Sequence, residues 1–247
     1  MKRKLILSAV LTLSAIVLVV ATVLTTVAFL AHQATVTNTF TMGNVMIHLY
    51  ESKVDEHGIK IVDDENHDGM KDSIGNTYKL SPNGTYSKDP TVYVMPESDE
   101  CILFVQVQNG IRDSEASNGD GYTSMAEQMK ANGWNRIGKN DLGNVYVYNG
   151  NPDSITYPAE KYGSVVPDKA DKQEFDLFEQ FKIKDNATRE GVDGKTLIIN
   201  AYAIQEESFA TESGSVKYLT EQNVKDAWNA LVSNFDTALE LAQEENN

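Results

Sequence analysis

The 247-residue chain carries 36 acidic against 21 basic side chains, a formal charge of −15, which is the wrong sign for nucleic acid or an anionic membrane surface. Its single cysteine, Cys101, excludes an intramolecular disulfide framework, so stability has to come from a packed core, a metal or assembly. Such a chain suits a soluble secreted protein, a cation binder, or a surface that holds its neighbours apart by like charge.

The N-terminus reads Met1-Lys2-Arg3-Lys4, followed by an apolar run over residues 5–31. A basic segment, an apolar segment and then small residues form a secretory signal. Thr26-Val27-Ala28 supplies the small-x-small site, so signal peptidase is expected to cut after Ala28 and leave Phe29 as the mature start. The run exceeds the roughly 7–15 residues of an ordinary signal and reaches the ~20 that span a bilayer, so a retained anchor is the other reading. The small-residue site favours cleavage. Removing residues 1–28 takes away three basic residues and no acidic one, moving the charge from −15 to −18.

Residues 35–42 alternate strictly, with Thr35, Thr37, Thr39 and Thr41 on one face and Val36, Phe40 and Met42 on the other. This is a period-2 strand with one half-buried face. After Gly43-Asn44, Val45, Ile47 and Leu49 continue as a second strand. Residues 51–76 are polar, and Ser81-Pro82-Asn83-Gly84 is a turn. Residues 91–95 and 101–108 are strong strands, joined through 96–100 by a hairpin or a short loop. Cys101 opens the second of them and reads as a small buried hydrophobe.

Residues 110–122 form a polar loop. Ser124-Met125-Ala126-Glu127 is a capping box that starts a short helix, which Gly133 ends. Residues 134–137 and 144–148 read as a hairpin, and 175–183 and 197–205 as the last strands. Beyond Thr220, the spacing of Val224, Ala227, Trp228, Leu231, Phe235, Ala238 and Leu239 predicts an amphipathic helix over about 220–244. That stripe either packs on the sheet or binds a partner, and a Trp/Leu/Phe stripe favours packing. Seven or more short strands with two helices, one short and one long and C-terminal, predict a mainly β protein: one β-sandwich domain over residues 29–247.

The N-terminal region resembles one family. The long signal with its small-x-Ala site, then Phe29, then Thr37-Asn38-Thr39-Phe40-Thr41-Met42-Gly43-Asn44-Val45, looks like the TasA/camelysin proteins, biofilm-matrix fibre subunits of Gram-positive bacteria exported with a SipW-type signal peptidase. Lys79-Leu80-Ser81-Pro82-Asn83-Gly84-Thr85-Tyr86, with Lys88-Asp89-Pro90-Thr91-Val92, resembles the following stretch of clostridial members. Ala201-Tyr202-Ala203-Ile204-Gln205 resembles the family's closing strand. The resemblance implies a jelly-roll-like sandwich, a secreted location in extracellular matrix or at the cell surface, and a homopolymer. An accessory matrix protein is a further expected partner. In such fibres the mature N-terminal segment, here 29–42 with Phe29, Val36, Phe40 and Met42, adds as a strand to the next subunit. From the residues alone this segment pairs equally well within its own sheet or with a neighbour's edge, where strand addition supplies main-chain hydrogen bonds and side-chain pockets.

Camelysin relatives are sometimes classed as metalloproteases, but the four histidines, His32, His48, His57 and His67, form no H-E-x-x-H pair. No G-x-S-x-G is present and no Ser/His/Asp set can be read. The remaining site candidate is Asp64-Glu65-Asn66-His67-Asp68-Gly69-Met70-Lys71-Asp72, the front of a calcium loop. Asp64, Asn66 and Asp68 supply oxygens at positions 1, 3 and 5, Met70 a carbonyl and Asp72 position 9. Position 12 is Gly75 where a bidentate glutamate belongs, so Asp63 or Glu65 has to substitute, or the segment is a solvated acidic loop. The expectation is thus a non-enzymatic fibre subunit, with a monomeric, calcium-dependent binding module as the alternative.

Overall fold

The computed structural model describes residues 31–35, 38–40, 45–61, 70–150, 165–213, 216–232 and 240–241. The chain is mainly β, and all of the described strand pairs are antiparallel. Its strands are β1 (Ala31–Thr35), β2 (Asn38–Phe40), β3 (Ile47–Tyr50), β4 (Thr85–Ser87), β5 (Thr91–Val94), β6 (Cys101–Asn109), β7 (Trp134–Asn140), β8 (Gly143–Tyr148), β9 (Gln173–Asp176), β10 (Gln180–Lys182), β11 (Leu197–Gln205), β12 (Thr211–Ser213), β13 (Val216–Tyr218) and β14 (Glu240–Leu241). The helices are α1 (Met125–Ala131), the single turn α2 (Arg189–Val192) and α3 (Glu221–Val232).

A seven-stranded sheet runs in the order β14-β7-β8-β6-β11-β1-β2, and a three-stranded sheet runs β3-β5-β9. The strand period decides how they meet. Along β6, Cys101, Leu103, Val105 and Val107 share a cluster with Ile47, Leu49, Val92 and Val94 of the small sheet. Ile102 and Phe104 point the other way, into a second cluster with Val224, Ala227, Trp228 and Leu231 of α3. Neighbouring β11 splits in register: Ala201 lies opposite Val105 on the first face and Tyr202 opposite Phe104 on the second. Cys101–Val105 of β6 is therefore an unbroken apolar run because both faces of the strand are covered.

Several expected elements appear as read. β11 spans the expected residues, and the 134–148 hairpin forms with a bulge between Arg136 and Gly138. Ser124 accepts the Glu127 amide, while the Glu127 carboxylate reaches back to it, and α1 ends before Gly133 at φ +89°. A Cβ on Gly133 would sit 2.3 Å from the Gly150 carbonyl oxygen, so only glycine fits. The Ser81–Gly84 turn closes with a Gly84 amide to Ser81 carbonyl bond of 3.1 Å and Asn83 at φ +61°, as Pro at the second position and Asn at the third allow.

Three expectations change, and one pair of alternatives is decided. Residues 35–42 are not one strand, because the chain reverses between β1 and β2, which pair Thr35 with Asn38 and Gln33 with Phe40. Pairing with β11 extends back to Ala31, and main-chain hydrogen bonding along that edge overrides the local alternation. Residues 175–183 divide into β9 and β10, which belong to different sheets. Leu177 and Phe178 are both fully buried and consecutive, a change of phase that a flat strand cannot accommodate. Of the two expectations for residues 96–100, the short loop is the one that forms, because it joins strands of different sheets. The C-terminal helix is described over only Glu221–Val232, and by Glu240–Leu241 the chain is extended and paired with β7.

Candidate functional site

The two regions singled out by the sequence lie on different parts of the sandwich. The N-terminal segment sits along the outer edge of β11, with Ala31 opposite Ile204 and Thr35 opposite Asn200. Within one copy it therefore caps an edge that would otherwise present a row of unpaired N–H and C=O groups. Phe40 ends β2 opposite Gln33. Ala28, Phe29, Val36 and Met42 fall outside the described residues.

In the acidic segment, Asp64, Asn66 and Asp68 also fall outside the described residues, whereas Met70 and Asp72 are half-buried and engaged with partners. The flanks of that segment carry a buried polar network. Asp89, 5 % exposed, accepts hydrogen bonds from the Ser52 amide (2.8 Å) and hydroxyl (2.7 Å) and from Lys60 Nζ (2.6 Å). Lys71 Nζ lies 3.3 Å from the same carboxylate and donates to the Asp89 carbonyl (2.8 Å) and to Thr91 Oγ1 (2.6 Å). Burial by itself would raise the Asp89 carboxyl, but the bonds from Lys60 and Ser52 and the charge of Lys71 outweigh it and hold the group below its ordinary value.

Beside this cluster, buried Glu51 pairs with buried Lys88 and accepts from Asn76 Nδ2 at 2.8 Å. Asn76 also accepts from the Val54 amide at 3.0 Å. Isolated bridges Glu51–Ser73 and Val54–Lys60 complete the tether. The polar stretch is therefore bound down on both sides of residues 62–69. Sequence reasoning missed this network. Its one local signal is Lys88-Asp89, a charged pair set against the apolar strand β5.

Among the described residues, the reactive groups are taken up in packing and local contacts. Cys101 is fully buried, and burial pushes its thiol up to about 12, so it is a packed hydrophobe with no thiolate to offer. His48 stacks on Tyr50 at 5.6 Å, and His57 is exposed beside Glu56. Buried Glu115 accepts the Met125 amide (2.6 Å) and Asn109 Nδ2 (2.7 Å), tying the 110–122 loop to the start of α1. Burial raises its carboxyl despite those bonds. Among the described residues no three His, Cys, Asp or Glu side chains gather as a metal site. The Trp/Leu stripe of α3 is covered by β6 and β11, which resolves the two readings of that helix in favour of packing.

Comparison of the chain with family models, with characterised proteins and with solved structures finds no match. Among the described residues no helix is long and apolar enough to cross a membrane.

Proposed function

We propose that the chain is a secreted, non-enzymatic subunit of an extracellular biofilm-matrix fibre, processed after Ala28 and polymerised head-to-tail by N-terminal strand addition. The observation that supports this reading is the seat of β1. It is held on β11 by strand pairing at the margin of the large sheet, next to the segment freed by processing. The same segment of another copy offers the same main-chain donors and acceptors to that seat. A contact of this kind is heterologous and does not close, so it yields filaments. The jelly-roll connectivity implied by the family resemblance belongs to this proposal.

A second reading, a monomeric secreted or cell-surface binding module with a calcium-stiffened loop, is favoured by one observation. In a single copy β1 already occupies the β11 edge, so that seat is filled from within.

Electron microscopy of protein beginning at Phe29, beside protein lacking residues 29–42, separates the two. Filaments from the first and dispersed particles from the second are expected for strand addition. Filaments from both keep the fibre and move its joint elsewhere. Dispersed particles from both favour the binding module.

A further inference from the structure

The protein is strongly acidic, yet one cleft on its surface is cationic. A concavity of about 840 Å³ opens between residues 78–82 and residues 187–197, over the end of β10. Its lining holds Lys79, Lys88, Arg189 and Lys195 against a single carboxylate, Asp193. Lys88 is neutralised by Glu51, and Arg189 Nε is 3.2 Å from Asp193. Lys79 and Lys195, both exposed, have no carboxylate partner among the described residues. Two lysines without a carboxylate partner among the described residues therefore line one cleft of a chain whose formal charge is −15.

The surface between these charges is apolar. Tyr78, Leu80, Ala187, Val192 and Leu197 are half-buried side chains packed on the main core, and all five line the cleft. The core thus shows its flank here instead of being sealed. Both walls are fixed. The Tyr86 hydroxyl accepts the Ser81 amide at 2.7 Å and donates to the Lys79 carbonyl at 3.3 Å. Opposite, Ser114 Oγ donates to the Gly191 carbonyl at 3.1 Å, and the Gly110 amide to the Thr196 carbonyl at 2.9 Å. A groove ordered beforehand loses little conformational freedom on filling.

We propose that this cleft is a docking groove for an extended acidic peptide segment that carries aliphatic side chains. The carboxylates meet Lys79 and Lys195, and the aliphatic groups cover Leu80, Val192 and Leu197. Charge complementarity selects the partner and speeds its arrival, and the apolar floor holds it. An acidic polysaccharide satisfies the lysines but leaves the aliphatic floor wet, so the floor favours peptide. This inference stands apart from the fibre reading, since the cleft does not include β1 or β11's outer edge.

The test is fluorescence anisotropy with the purified full chain and a labelled peptide, Asp-Leu-Glu-Val-Asp-Leu-Glu. Saturable binding is expected, with affinity falling at least about tenfold in the Lys79→Glu/Lys195→Glu double variant, the equivalent of losing and reversing two exposed pairs. The milder Lys79→Gln/Lys195→Gln variant, checked for an unchanged circular dichroism spectrum, is expected to lose an intermediate amount. A peptide with serine at the Leu and Val positions is expected to bind more weakly than the parent. Equal binding by parent and double variant overturns the site. Equal binding of the serine peptide, or of polygalacturonate charge for charge, overturns the peptide assignment in favour of a general anion surface.

Discussion

Lys60 and Lys71, which flank residues 62–69 on either side, reach the same oxygen of Asp89, at 2.6 and 3.3 Å. One buried carboxylate thus fastens both stems of the acidic segment to the start of β5. Replacing it by Asp89→Asn removes the carboxylate that two ammonium groups share, leaving Lys71 only Asp176 at 3.6 Å, and is expected to lower unfolding free energy at pH 7 by about 1–3 kcal/mol. The pH dependence has a definite sign. The folded-state value of Asp89 is below its unfolded value of about 3.9, so its contribution is present above that value and is lost as pH falls through the folded one. Urea melts between pH 7 and pH 2 should show a steeper acid loss for the parent than for the variant. Superimposable acid limbs would remove the clamp from the account.

Calcium is tested at the segment those stems hold. Asp64→Asn with Asp68→Asn is expected to lower the melting temperature in millimolar calcium and to leave it unchanged in chelator. Identical melting curves in both buffers would leave residues 64–72 as solvated surface.

Strand addition is tested by Val36→Asp and Phe40→Asp in protein beginning at Phe29. Sedimentation should show loss of polymer while the thermal transition of the remaining monomer stays within a few degrees of the parent. Undiminished polymer yield would end the strand-addition reading.

Trp228 is the largest side chain of α3 and lies against Phe104 at 5.5 Å and Tyr202 at 5.2 Å between ring centroids. Trp228→Ala is expected to cost about 3–5 kcal/mol in denaturant titration. A cost below ~1 kcal/mol would mean that the helix is an optional cover.

Cys101 provides a probe of global opening. With its thiol raised to about 12 and no exposed surface, it should resist a thiol-specific reagent at pH 8 in the native protein and react at once in denaturant. Rapid reaction under native conditions would indicate local opening of β6.

Where local chemistry decides structure, the sequence was readable. The β11 run, the Ser124–Glu127 capping box and the Trp134–Tyr148 hairpin need only near neighbours. What escaped depends on distant partners. The β1–β2 reversal is set by the β11 edge about 165 residues away, which is visible only once the sheet is assembled. The division of 175–183 did leave a trace, since Phe175 and Leu177 alternate before Phe178 shifts the phase. The Asp89 and Glu51 clusters join charges 18 to 37 positions apart, and nothing in a polar stretch tells which of its charges is buried. For the N-terminal segment and the acidic 64–72 segment, the residue types were legible, but the choice between their alternatives depends on a second molecule or an ion.

The double covering of β6 and β11 has a consequence for how copies can meet. With the small sheet on one side and α3 on the other, the central strands offer no bare surface to stack against. Stacking another sheet directly on these strands, the geometry of a steric zipper, is blocked on both faces. Association that involves these strands has to run through their margins, where contacts are narrow and directional.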